Sequence, residues 1–178
     1  MFKKVIIVVA LACAVSGMAF AQDAAIDPHM DKGTLAVNAG LAFGWGIGLG
    51  GGAEFVLARV DLAEILPLTF GAAGRAYFSS AWGYSFFDVA AMGTGHVGLK
   101  GLDLPPEMKP WTDRLDYYVG LGIGVSLAGT DYWTDRSPIN FASMTGVNYF
   151  LNDNLAINFE SGYMGYWGYG LVGVLLKF

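Results

Sequence analysis

Leu115-Asp116-Tyr117-Tyr118-Val119-Gly120-Leu121-Gly122-Ile123-Gly124-Val125-Ser126-Leu127 is the stretch whose reading decides the fold. Leu115, Tyr117, Val119, Leu121, Ile123, Val125 and Leu127 alternate strictly with Asp116, Tyr118, Gly120, Gly122, Gly124 and Ser126. A helix would scatter both sets around its circumference, whereas a strand places each set on one face. The apolar face carries no charge, which suits lipid. The opposite face is crowded with glycine, which suits the interior of a narrow barrel.

The same period recurs at the carboxy terminus. Counting back in twos from Phe178 gives Leu176, Val174, Val172, Gly170, Gly168 and Tyr166, an apolar row that runs to the last residue. The other row, Trp167, Tyr169, Leu171, Gly173, Leu175 and Lys177, is mixed. Segments of about ten residues with such alternation are the signature of transmembrane β-strands.

Composition points the same way. The 178 residues are 54% hydrophobic and only 14% charged, with 26 glycines and a net charge of -5. A soluble domain carries about 25% charged residues, so much of the usual solvated surface is missing. Aromatic residues at 15% argue against disorder. The acidic balance and the lack of a basic stripe exclude a nucleic-acid partner from the expectation.

Residues 1–21 read as an export leader. Lys3 and Lys4 start it, Val5 to Phe20 form its apolar stretch, and Ala19-Phe20-Ala21 is a cleavage site before Gln22. A competing reading is lipoprotein processing at Cys13, behind Ala10-Leu11-Ala12. Cys13 is the only cysteine, so cleavage after Ala21 leaves no disulfide or thiolate ligand. Beyond the leader, glycines and single charges interrupt every apolar run, which disfavours a transmembrane helix and leaves a closed barrel as the spanning solution.

Residues 22–32 are expected to be a polar periplasmic lead-in and residues 33–178 the barrel. Strands are expected over 34–44, 47–58, 66–78, 86–97, 115–127 and 139–150, followed by a seventh from Leu155 and an eighth ending at Phe178. Arg59 to Ile65 reads as a turn, and Asn152-Asp153-Asn154 as the most polar corner. Gly98 to Asp113, with Pro105, Pro106 and Pro110, cannot be a strand interior. Strand parity puts this long segment on the periplasmic side, where barrel turns are short, so either the excursion is real or a strand pair is miscounted. The fold class is all-β: an eight-stranded antiparallel transmembrane up-and-down β-barrel in the cell outer membrane.

The leader, the aromatic final strand ending at Phe178, and the hairpin from Asn148 to Ile157 resemble the small eight-stranded outer-membrane proteins, including the membrane domain of outer membrane protein A. The resemblance covers nearly all of residues 33–178. It implies contact with outer-membrane lipids and recognition of the last strand by the barrel-assembly machinery. Here the outer loops are shorter and residues 98–113 longer than in that group.

The charged inward set is Glu54, Arg75, Asp88, His96, Asp116 and Glu160, with Asn38, Asn140, Asn148 and Asn158 nearby. Buried charges need partners, so Arg75 is expected to pair with carboxylates in a polar lumen network. A structural or envelope-integrity role follows. Alternatives are a narrow path gated by Arg75, or a binder or transporter of small apolar molecules that uses room left by inward Gly and Ala, with Met92 and Met144 as its lining. A lipid-modifying enzyme would need His96 with Ser126 or Ser143 and a carboxylate. Ser143 falls on the other face, so no catalysis is expected. Asp27 and His29 are the sole metal candidates, too few for a site, and no cofactor is expected. The glycine series around Trp45 and Ile123 lack the strand–turn–helix setting of a nucleotide fingerprint.

Overall fold

Each alternating segment becomes a strand because its apolar row can face outward only if its neighbours do the same. The computed structural model describes residues 28–44, 46–62, 66–81, 84–100, 102, 104–128, 138–164 and 167–178. The leader, Cys13 and the lead-in up to Asp27 lie outside the described residues. The strands are β1 (Leu35–Phe43), β2 (Ile47–Leu62), β3 (Leu66–Ala81), β4 (Tyr84–Gly98), β5 (Leu115–Ala128), β6 (Ile139–Phe150), β7 (Leu155–Met164) and β8 (Trp167–Lys177). Each pairs antiparallel with its sequence neighbour, and β1 closes on β8. Phe178 and Leu35 complete the seam by exchanging backbone hydrogen bonds of 2.8 and 3.3 Å. No described helix is long and apolar enough to cross a membrane.

The barrel is apolar outside and polar inside. Ile123 is 66% exposed and Asp116 0%, the reverse of the pattern in a water-soluble domain. The outward row of β5 from Leu115 to Leu127 spans about 40 Å of strand at ~3.3 Å per residue. At a tilt of about 40° this is a band ~30 Å high, enough for an outer-membrane apolar belt.

The first four residues of one expected turn, Arg59 to Leu62, are strand, and its remaining residues 63–65 lie outside the described residues. β2 continues to Leu62 through a bulge between Val56 and Ala58, so Arg59 pairs opposite Thr69 instead of turning. The extra residue slips the two-residue period by one, which is why the alternation reads as broken after Leu57. The polar corner is as expected: Asn152 Oδ1 accepts from the amides of Asn154 at 3.0 Å and Leu155 at 2.9 Å.

The long segment expected over Gly98 to Asp113 is real: the eight described strands are consecutive neighbours, and β4 ends at Gly98 while β5 begins only at Leu115. It lies at the end of the barrel that holds residue 28 and Phe178, called here the terminal end. It contains a short helix α1 (Lys109–Thr112) with Pro110 in its first turn, where the missing amide costs nothing. The lead-in is more than a polar spacer over residues 28–30. Pro28, His29 and Met30 are buried, and Met30 packs with Ala36, Val56, Phe150, Ala156 and Leu175 in an apolar stopper at the terminal mouth.

Candidate functional site

Charged inward side chains of five strands meet in the barrel centre. Register sets the meeting: Arg75 of β3 lies opposite Gly52 of β2 and Ala90 of β4, so small neighbours leave its guanidinium free to cross the lumen. It reaches Glu160 of β7 at 3.2 Å and Glu54 of β2 at 3.4 Å. His96 of β4 sits between two carboxylates, with Nε2 2.7 Å from Glu54 and Nδ1 2.9 Å from Asp116. A neutral imidazole has one donor nitrogen, so these two contacts require a second proton shared within the triad.

Glu160 is the centre of the array. Its Oε1 accepts from Tyr77 and, at 2.8 Å, from Tyr169. Its Oε2 accepts from Arg75 Nε and from Tyr118 at 2.7 Å. Four donors match the capacity of one carboxylate. Glu54 also accepts from Thr94. Asparagines extend the network: Asn158 donates to Tyr118 Oη at 2.9 Å and to Asn148 Oδ1 at 2.8 Å. Asn148 donates to Asp116 at 2.9 Å and Asn38 to Asn158 at 3.1 Å. Among the described residues, Asn38 Oδ1 and Asp116 Oδ1 are buried without a partner.

The structure therefore brings together five of the six charged candidates: Glu54, Arg75, His96, Asp116 and Glu160. Asp88 stands apart. It is half-buried opposite Tyr77 and Ser126 and lines a small cavity of about 30 Å³ with Tyr77, Tyr169 and Met164. Asn140 also lies away from the array, opposite Gly124 and bonded to the Pro138 carbonyl. Sequence reasoning passed over the three tyrosines as network members. The parity of Tyr77 and Tyr118 already put them inside, and Tyr169 belongs to the mixed row of β8. Tyr169 reaches the carboxylate from the neighbouring β8, but Tyr77 and Tyr118 come from β3 and β5, strands that are not adjacent to β7.

The inward glycines do not leave open space. A β-carbon on Gly50 would collide with the Tyr77 ring, on Gly52 with Arg75, on Gly120 with Met144 and on Gly146 with Tyr118. Each glycine is the seat of a large side chain from an adjoining strand, so the argument for a roomy lumen falls. The larger hollows described lie on the outer wall. One of about 490 Å³ crosses Gly51, Ala53 and Ala76, rimmed by Leu49, Phe78 and Phe87. Another of about 430 Å³ lies over Thr145 and Ser161.

The hydrolase arrangement is not assembled. His96 is opposite Tyr118 and Ser126 is opposite Asp88, eight residues apart on β5 and so roughly 26 Å apart along the strand. Ser143 pairs outward beside Tyr163. Asp27 lies outside the described residues, and His29 is engaged with the Asp113 carbonyl at 2.7 Å and stacked on Phe150. Among the described residues no group of three His, Cys, Asp or Glu side chains could hold a metal ion.

No protein-family model and no curated protein matches the chain. Solved structures do. The crystal structure of Ail, the attachment invasion locus protein of Yersinia pestis, in complex with the heparin analogue sucrose octasulfate, is 12% identical. It aligns over 83% of this chain and 100% of that one, with a TM-score of 0.51. The outer membrane protein OprG from Pseudomonas aeruginosa is 13% identical over 85% of this chain and 99% of its own, with a TM-score of 0.49. The N-terminal β-barrel domain of Pseudomonas aeruginosa OprF is 16% identical over 83% and 98%, with a TM-score of 0.49. At these identities the likeness extends to the fold alone: the chain is a closed eight-stranded antiparallel barrel resembling small outer-membrane proteins.

Proposed function

We propose that this protein is an integral outer-membrane barrel with a structural, envelope-integrity role and no catalytic activity. The observation that carries the reading is the cross-lumen array on Glu160 and Glu54, with Arg75 between them. An aqueous path would have to break the buried Arg75–Glu160 and Arg75–Glu54 pairs, at about 3–5 kcal/mol for each lost partner. The filled glycine seats support the same conclusion. Lipids cover the outer wall, and the barrel-assembly machinery receives the final strand through the row ending at Phe178.

Planar-bilayer recording with purified protein tests the sealed lumen. The wild type should insert without discrete conductance steps. Steps in the wild type whose amplitude changes in Arg75→Ala would establish a gated path instead. Fractionation with heat-modifiable gel migration tests the location: recovery as a soluble periplasmic protein with no shift would overturn the membrane assignment. The apolar-ligand reading retains one supporting observation, the groove over Gly51 and Ala76. Such a ligand would bind from the bilayer to the wall, not in the lumen.

A further inference from the structure

The excursion at the terminal end is tied to the barrel at its base and just after α1. Leu99 N bonds to the Leu115 carbonyl at its base, and the Arg114 carbonyl accepts from Phe150 N at 2.8 Å. The Asp113 carbonyl is taken by His29 at 2.7 Å. Within α1, Thr112 is buried and its hydroxyl closes on the Met108 carbonyl at 3.1 Å. This leaves Trp111 and Met108 turned away from the barrel axis, 66% and 49% exposed.

Trp111 does not project into open space below the mouth. Its ring lies 6.3 Å from that of Tyr149, and Tyr149 belongs to the outward row of β6, opposite Leu115 at the strand end. The helix therefore leans against the outer wall, where the lipid-facing belt of Tyr117, Leu115 and Tyr149 comes to its edge. Leu151 and Phe178 are exposed at the same terminal end. Indole and phenol rings favour the headgroup layer, where one side is apolar and the other wet. Lys109 and Arg114 stand within three residues of Trp111 in sequence, with long stems that can carry their charges to phosphates.

We infer that residues 104–114 form an interfacial anchor, with Trp111 and Met108 seated in the phospholipid headgroup layer of the leaflet at the terminal end. The inference rests on the membrane-spanning reading and extends it to a segment outside the strands. Its occupant follows from continuity: the surface adjoining Trp111 is already the lipid-facing wall.

The test uses the full mature chain and its Trp111→Phe variant, reconstituted in phosphatidylcholine vesicles. Some vesicles carry lipid brominated near the carbonyl end of the acyl chain, others near the methyl end. Subtracting variant from wild-type emission isolates Trp111 from the other four tryptophans. The expected result is strong quenching of this difference by the shallow bromine, weaker quenching by the deep one, and protection from aqueous acrylamide. A difference emission quenched by acrylamide and untouched by either bromolipid would overturn the anchor and assign the face to water or a soluble partner. In that case quenching of the remaining tryptophans by bromolipid would leave the barrel reading intact. If no tryptophan responds to bromolipid, both the anchor and the membrane reading fall together.

Discussion

The ring of Tyr118 on β5 occupies the space that a side chain at Gly146 on β6 would fill: a β-carbon there would strike its Cζ, Oη and Cε1. This seat lets the Tyr118 hydroxyl reach Glu160 at 2.7 Å, so one glycine connects local backbone to the central array. Gly146→Ala is expected to displace the ring and cost about 1–3 kcal/mol, the usual range for overpacking. Urea unfolding in lipid vesicles measures it. Gly93→Ala is the control, because a β-carbon there meets nothing within 4 Å, and its midpoint should not fall.

Removing the shared cation should be more costly. Arg75→Met leaves Glu54 and Glu160 without the guanidinium that contacts both, an expected loss of about 3–5 kcal/mol. Adding Glu160→Gln should recover part of that loss, because it removes one of the stranded charges. A double-mutant cycle reads the coupling, and strict additivity of the two losses would show that the pair acts independently.

The three tyrosines make a graded series. Tyr77→Phe, Tyr118→Phe and Tyr169→Phe each delete one donor to Glu160 while keeping the ring. Each should cost about 1.5–3 kcal/mol, the range for hydrogen bonds to charged groups. The Tyr118 variant should stand at the upper end, since it also abandons the Asn158 amide at 2.9 Å. Equal, negligible effects across the series would remove Glu160 from its central position.

The lead-in predicts a pH dependence. His29 stacks on Phe150 with centroids 4.1 Å apart, and Lys177 donates to its carbonyl at 3.0 Å. Burial holds the imidazole pKa below its ordinary 6.5, aided by Lys100 and Lys177 and opposed by the Asp113 carbonyl and Asp116. The undocked segment therefore binds the extra proton more readily. Docking is complete above 6.5 and weakens as pH falls through the lowered value. NMR in lipid nanodiscs should show the His29 ring titrating below 6.5, with the Met30 methyl resonance moving at the same midpoint. In His29→Gln, which keeps a donor for the Asp113 carbonyl, the Met30 signal should lose that transition.

What the chain determines by itself is the face of almost every residue. In a strand, side-chain direction depends only on parity, so the uncharged row from Leu115 to Leu127 declares its side without reference to any other segment. Eight such rows, with no apolar helix-length run beyond the leader, point to closure, the arrangement that leaves no strand edge unpaired. The reading slips at Leu57, where a bulge inserts one residue and the broken alternation looks the same as the end of a strand. What only the tertiary structure decides is who meets whom across the lumen. Arg75, Glu54 and Glu160 are separated by tens of residues, and their contact depends on strand stagger, which parity does not encode. The same holds for the glycines, whose emptiness on paper becomes the seats of Tyr77, Arg75, Met144 and Tyr118 once neighbouring strands are in register. Asp88 shows the limit from the other side: it has the right parity and the right charge, yet its depth along β4 sets it apart from the array.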